Sequence, residues 1–333
     1  MRTFVLDPFG GSSEYMQDRI FNSPYGTLRE LLRIKGIDLH TYDMTGISSA
    51  DTVFCFNFRK RFLQACLRSG IPRDKMVLFL YEPNVVMSEQ YSPSVWRYYG
   101  KIFTYRDDLI GQPGFFKMRL PQEQQLLDSF PSFSDRRFLT MINANKYSYV
   151  DGELYSYRRR AIRFFEETTG DFDLYGHGWG QNAALRPGTI LKGLSHRKPR
   201  ALIKDIWQGF QKFSSYRGVI DRKHWVLSRY KYSLCFENDL AAPGYITEKI
   251  FDCLISGTIP VYLGAGNIEQ YIPKDCYIDM RTFPGFPELY TYLLEYRESD
   301  FLRTQDAGQR FIRSDAFAKW RSKYVFQDIA DVF

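Results

Sequence analysis

Six side chains able to do chemistry crowd into one short stretch, FENDLAAPGYITEKIF at residues 236–251: Glu237, Asn238, Tyr245, Thr247, Glu248 and Lys249. A helix starting near Thr247 would have that hydroxyl as a cap for its unpaired backbone N–H groups. Glu248 then stands in the first turn, where the partial positive charge of the helix end favours a carboxylate. Lys249 stands there too, and a cation in that position opposes the same charge at a cost of about 0.3 to 1 kcal/mol. An anionic ligand removes the conflict, since free N–H groups and a lysine together make a phosphate site. Glu248 can accept two hydrogen bonds from a ribose diol, as acidic residues do in other nucleotide folds. The pair therefore fits a nucleotide diphosphate; the bland alternative is a surface Glu–Lys pair at a helix start.

Such a loop needs rigid elements on both sides. YKYSLCF (230–236) alternates as a strand, Ile246, Ile250, Phe251, Leu254 and Ile255 recur as a helical stripe ended by Gly257, and TIPVYLG (258–264) supplies the next strand. This βαβ unit puts the loop at the carboxyl edge of a parallel strand, where open α/β sheets bind ligands. The same rhythm runs through TFVLD, GTLRELLRIKG, IDLHTYD, DTVFCFN, RKRFLQACLRSG and KMVLFLYEP, predicting an α/β fold with a parallel sheet. Between 110 and 135 it lapses, where Pro113, Pro121 and Pro131 break both periods. It resumes with RRFLTMIN as a strand, GELYSYRRRAIRFFEE as a helix, FDLYG as a strand and two helices between 199 and 230. AFAKWRSKYVFQDIADVF reads as a terminal amphipathic helix. The predicted domains are 1–135, counting 110–135 as linker, and 136–333, which takes the terminal helix.

With 333 residues, 44% apolar and 25% charged, the chain has the composition of a globular protein of two ordinary domains. Lys plus Arg outnumber Asp plus Glu by 45 to 38, which favours anionic partners: nucleic acid, membrane or phosphorylated substrates. Cys55, Cys66, Cys235, Cys253 and Cys276 form no C-x-x-C pair and sit mostly in apolar runs, as reduced buried thiols do. No secretory signal pattern and no membrane-spanning apolar run occurs. DFD at 171–173 has the D-x-D form of a metal site, but Asp173 falls at a strand start. GHGWG at 176–180 lacks dinucleotide spacing, so His177 reads as a loop residue, and His40, His196 and His224 show no ligand spacing. The Arg and Tyr of VWRYYGKIFTYRDD read as core and rim rather than a nucleic-acid surface.

The run YKYSLCFENDLAAPGYITEKIFDCLISGTIPVYLGAGNIEQYIPKDCYID closely resembles the signature of glycosyltransferase family 10, the α-1,3/1,4-fucosyltransferases. There a strand, F-E-N, G-Y-x-T-E-K, G-T-x-P-V-x-L-G and Y-I-P follow in that order. Weaker likeness extends to ELYSYRRRAIRFFEE, DLYGHGW, SYRGVIDRKHWVLSRYKY, LYEP and FTYRDDL. The resemblance implies a GT-B architecture of two facing Rossmann-like domains with parallel sheets, the first binding acceptor and the second GDP-sugar. It implies inverting transfer of fucose from GDP-fucose to a glycan hydroxyl, in α-1,3 linkage to the N-acetylglucosamine of an N-acetyllactosamine-type unit.

On these residues the resemblance implies donor contacts from Asn238, Tyr245, Thr247, Glu248 on the ribose and Lys249 on the diphosphate, with Glu237 shaping the sugar pocket. Arg158 resembles the helix arginine that neutralises the diphosphate, with Arg159, Arg160 and Arg163 beside it, and Lys223 stands where members often carry a basic residue. Glu82 is the implied base, although the family reads Glu-Ser-Pro and this chain Glu-Pro; Glu89 and Glu123 are the substitutes. No cofactor and no divalent metal is implied, and no nucleic-acid partner. Two other readings stay open: transfer of another GDP-sugar or to another acceptor, and a non-catalytic glycan- or nucleic-acid-binding protein. Lacking the leader, anchor and stem of animal Golgi members and the heptad repeats of some bacterial ones, the chain is expected in the cytoplasm, touching the inner membrane through its basic aromatic tail.

Overall fold

A computed structural model describes residues 2–7, 21, 23–123, 125–180 and 212–333, with isolated positions 187, 190, 191, 194, 202, 203 and 206. The chain forms two units, Met1–Glu123 with Phe317–Phe333, and Gln124–Ala316.

In the first unit the strands are β1 (Arg2–Asp7), β2 (Ile37–Thr41), β3 (Thr52–Phe56), β4 (Met76–Leu80), β5 (Lys101–Thr104) and β6 (Phe115–Lys117), with helices α1 (Tyr25–Ile34) and α2 (Lys60–Arg68) between them. The sheet is parallel throughout in the order β2-β1-β3-β4-β5-β6. Because successive residues of a strand face opposite sides, the apolar runs split between two cores. Phe4, Leu6, Phe54, Phe56, Phe79 and Phe103 pack on one face, and Val5, Val53, Cys55, Leu78, Leu80 and Ile102 on the other. Phe79 stacks on Phe103 at 4.9 Å between ring centroids, and Phe54 meets Phe79 at 5.2 Å.

The second unit carries β7 (Arg137–Ile142), α3 (Tyr155–Thr168), β8 (Phe172–Tyr175), α4 (Lys223–Leu227), β9 (Tyr230–Phe236), α5 (Glu248–Ile255), β10 (Ile259–Leu263), β11 (Ile278–Asp279), α6 (Phe286–Glu295) and α7 (Glu298–Ile312). Its sheet is also parallel, ordered β11-β10-β9-β7-β8. Leu139, Met141, Leu234, Phe236 and Val261 from the strands meet Ile162 and Phe165 of α3 and Leu289 and Leu293 of α6 in its core. Of the two helices expected between 199 and 230, α4 is seen; most of 199–211 lies outside the described residues.

Two expectations are corrected. The stretch 110–135 is not all linker: Phe115–Lys117 is an edge strand on β5, with Phe116 against Phe103 at 5.3 Å. Three residues are too few to show a period, which is why the prolines hid it. The terminal helix α8 (Ser322–Ala330) belongs to the first unit, not to 136–333. Its Val325, Phe326, Ile329 and Ala330 join the core formed by Leu28 and Leu32 of α1, and Phe333 continues the aromatic row, 5.3 Å from Phe4 and 5.2 Å from Phe54. Lys35 Nζ clasps the segment through the Ala330 carbonyl and Asp331, both at 2.8 Å. Packing takes Phe317, Trp320 and Phe326 out of solvent, so these rings offer nothing to a membrane, whereas Tyr324 stays exposed.

Phe326 is wholly buried, so Phe326→Ala leaves a cavity in the first unit. Chemical denaturation should show a loss of about 3 to 5 kcal/mol.

Candidate functional site

In the second sheet the chain leaves β7 toward β8 on one side and, later, occupies β9 on the other. The crevice between the carboxyl ends of β7 and β9 is therefore the topological switch point, where doubly wound sheets take ligands. A narrow pocket there is lined by Asn143, Lys223, Cys235, Lys249 and Cys253, among others.

The loop after β9 is organised by Glu237, whose side chain is completely buried. Its N–H continues the ladder to the Leu263 carbonyl at 2.7 Å, while its carboxylate turns toward the start of α5. Oε1 accepts from the Thr247 N–H at 2.9 Å, and Oε2 from the Thr247 hydroxyl at 2.8 Å and Lys249 Nζ at 3.0 Å. Thr247 is the residue that caps α5, its Oγ1 facing the Lys249 N–H at 3.5 Å. Gly264 makes room for this: a Cβ there would stand 2.6 Å from Glu237 Cγ. Two expectations change in consequence. Lys249 beside the helix end is compensated from within the chain, by Glu237 and, at 3.5 Å, by Glu248, rather than only by a ligand. Glu237 itself has its carboxylate occupied as an anchor.

Arg158, on α3, is buried and reaches across to the same loop. Its Nη2 donates to the Phe236 carbonyl at 2.5 Å and to Asn238 Oδ1 at 2.9 Å, and Asn238 Nδ2 donates to the Tyr245 hydroxyl at 3.1 Å. The Nε–H of Arg158 has no hydrogen-bond partner among the described residues. Its neighbours point elsewhere. Arg159 lies over the Tyr147 ring at 3.9 Å, Arg160 is exposed over Tyr157, and Arg163 donates to the Lys212 carbonyl.

Lys223, at the start of α4, enters through a residue that the sequence alone did not single out. Asp252, one turn after Glu248 on α5, is buried and takes Lys223 Nζ on Oδ2 at 2.5 Å and His224 Nε2 on Oδ1 at 2.8 Å. Its place inside the otherwise apolar run 250–255 was the available signal, since a carboxylate buried there must be paired. Lys223, Lys249 and Arg158 are thus balanced by Glu237, Glu248 and Asp252. Burial disfavours both lysine charges, yet Glu237 and Glu248 hold Lys249, and Asp252 and Glu248 hold Lys223, above the ordinary lysine range. Burial also works against the Glu248 charge, but Lys249 and Lys223 bring its carboxyl down to about 2. For Arg158 burial dominates and lowers the guanidinium.

Glu82 belongs to the first unit, just past β4, half-buried, with no hydrogen bond or ion pair on its side chain among the described residues. Glu89 and Glu123 are exposed. Asp173 of DFD is fully buried and occupied by Arg137, Arg217 Nε at 2.6 Å and the Tyr230 hydroxyl at 2.5 Å. No cluster of three or more His, Cys, Asp or Glu arranged for a metal occurs among the described residues. His40 pairs with Asp38, His177 is on an exposed loop, and His196 lies outside the described residues.

Residues 209–328 match the family described as glycosyltransferase family 10 (fucosyltransferase), C-terminal part. An α-(1,4)-fucosyltransferase of Arabidopsis thaliana is 40% identical over 73 residues, 22% of this chain and 18% of that one. An α-(1,3)-fucosyltransferase of Helicobacter pylori is 36% identical over 74 residues, 22% and 15%. The chain thus matches less than a fifth of the length of these relatives. In structure, an α1,3-fucosyltransferase superposes with a TM-score of 0.58 at 15% identity, covering 99% of this chain and 89% of that one. A GDP-fucose complex of an α1,3-fucosyltransferase superposes with a TM-score of 0.52 at 16% identity, covering 91% and 81%. The fold is GT-B, built of two Rossmann-like units with parallel sheets.

Replacing Glu237 by Gln strands the Lys249 charge beside a positive helix end, and equilibrium unfolding should register a loss of about 3 to 5 kcal/mol. Glu248 is depressed in the folded state, so its ionised form adds stability in full above pH 4.5, its ordinary value, and loses it as pH falls toward about 2. Glu248→Gln should flatten this acid-side slope in melting temperatures recorded from pH 6 downward.

Proposed function

We propose that the chain, whose residues 209–328 match the glycosyltransferase family 10 model, is an inverting fucosyltransferase, taking GDP-fucose as donor and a glycan hydroxyl as acceptor. The observation that carries this reading is the meeting of Lys249 and Lys223 in one switch-point pocket at the capped start of α5. Arg158 stands behind the same loop, its Nε–H without a hydrogen-bond partner among the described residues. A diphosphate supplies the negative charge and the acceptor oxygens that these groups can use, and Glu248, ionised and half exposed, suits the ribose diol.

In the proposed step the acceptor oxygen bonds to C1 of fucose from the face opposite the diphosphate, while the C1–O bond to phosphate breaks and its electron pair leaves with GDP. Glu82 takes the proton of the attacking hydroxyl. Charge gathers on the departing diphosphate, so Lys249 and the helix end stabilise the transition state more than the bound donor, without a divalent metal. The acceptor we assign is an N-acetyllactosamine-type unit, fucosylated α-1,3 on its N-acetylglucosamine. We place the reaction in the cytoplasm, a reading supported by the burial of all five cysteines; no helix among the described residues is long and apolar enough to cross a membrane.

Purified protein offered a panel of nucleotide sugars should release nucleotide from GDP-fucose with an N-acetyllactosamine acceptor, undiminished by EDTA. Lys249→Ala should abolish the thermal shift given by GDP. Glu82→Gln should keep that shift and slow turnover by about 100- to 10,000-fold; retained turnover would move the base elsewhere, and release from a different sugar would change the donor.

A further inference from the structure

Beyond the residues that would touch donor or acceptor, the first unit contains a device aimed at the main chain of Glu82. A residue just past the end of a strand has left the ladder, so its N–H and C=O need partners from elsewhere. For Glu82 both come from side chains. Asn57 Oδ1 accepts from the Tyr81 N–H at 3.0 Å and the Glu82 N–H at 2.9 Å. The Glu82 carbonyl accepts from Gln90 Nε2 at 2.7 Å and from the Tyr91 hydroxyl at 2.8 Å. Gln90 is fixed in turn, its Oε1 taking the Phe58 N–H at 3.0 Å, and the Tyr91 hydroxyl also meets that of Tyr105 at 2.8 Å. Pro83 adds a covalent restriction, since the residue before a proline is held out of the helical region. The Pro83 carbonyl closes a turn on the N–H groups of Val86 and Met87 at 2.9 and 3.0 Å.

Asn57 carries a conformational penalty for this. With φ of 60° it is the non-glycine residue of the described chain in the left-handed region, and it is only 3% exposed. That conformation brings Asn57 N–H to the Phe79 carbonyl at 2.8 Å, while its side chain turns to the two N–H groups beyond β4. Gln90, a long amide with no exposure at all, is likewise used wholly on backbone groups. Two buried amides and a hydroxyl thus converge on the peptide groups flanking one residue, whose own carboxylate has no hydrogen bond or ion pair among the described residues. For fold stability alone, an apolar core would be served by fewer polar atoms.

We propose that Asn57, Gln90 and Tyr91 are positioning residues that hold the Glu82 carboxylate for proton transfer; the inference rests on Glu82 being the base. They act on geometry, so their loss lowers turnover without weakening donor binding. Asn57→Gly retains the left-handed backbone freely and deletes the side chain that carries the acceptor. Its kcat should fall about 10- to 100-fold, with the donor KM and the GDP-induced thermal shift unchanged. Asn57→Asp, which offers the same oxygen and tolerates the same backbone region, should restore kcat. Tyr91→Phe removes a single hydroxyl and should give a smaller loss with the same split, which keeps the idea testable should Asn57→Gly not fold. Full kcat in both Asn57→Gly and Tyr91→Phe beside an inactive Glu82→Gln enzyme would overturn the positioning role alone. An active Glu82→Gln enzyme would instead remove the base, and this proposal with it.

Discussion

One buried carboxylate governs the site. Glu237 has no exposure to solvent, and an ionised group so placed is tolerable only if every lone pair facing the interior is matched. The matching partners, the Thr247 N–H and hydroxyl and the Lys249 ammonium, are the residues that begin α5. Satisfying one glutamate therefore sets where the helix starts, orients its cap and holds a lysine at the mouth of the crevice. Asn238 follows directly in the chain, and the Arg158–Asn238–Tyr245 chain of hydrogen bonds is built on the backbone that Glu237 pins.

The two units share a winding pattern and use it differently. In both, parallel strands depart to either side of the first strand, and the residues that matter stand just beyond a carboxyl end. In the second unit the residue past β9 spends its carboxylate on holding the loop. In the first unit the residue past β4 is itself held, by side chains that bond its main chain, and its carboxylate has no hydrogen bond or ion pair among the described residues. The same local problem, a strand end with unmatched backbone groups, is met by a side chain that anchors its own loop in one place and by side chains that hold the main chain in the other.

Much of this was readable from the amino acids. The βαβ unit around residues 230–264, the capping role of Thr247 and the start of α5 beside it follow from periodicity and cap chemistry, which act over a few residues. What was not readable depends on residues far apart in the chain. Lys249 looked uncompensated because its counter-ion lies twelve residues upstream on a different element, and the pairing of Lys223 with Asp252 spans a strand and a loop. The clamp on Glu82 draws on Asn57, 25 residues away, and on Gln90, neither of which carries a motif. Edge strand β6 was missed since three residues show no alternation, and the home of α8 since an amphipathic stripe says that a helix packs, not on what.

The return of α8 to the first unit bears on how the polypeptide acquires its shape during translation. Residues 322–330 complete a core whose other walls are made within the first hundred or so positions, whereas the second unit draws on the contiguous stretch 124–316. A nascent chain leaving the ribosome can thus finish its second unit first, while the upstream half waits, with Leu28, Leu32 and its aromatic row uncovered, until α8 emerges to close it.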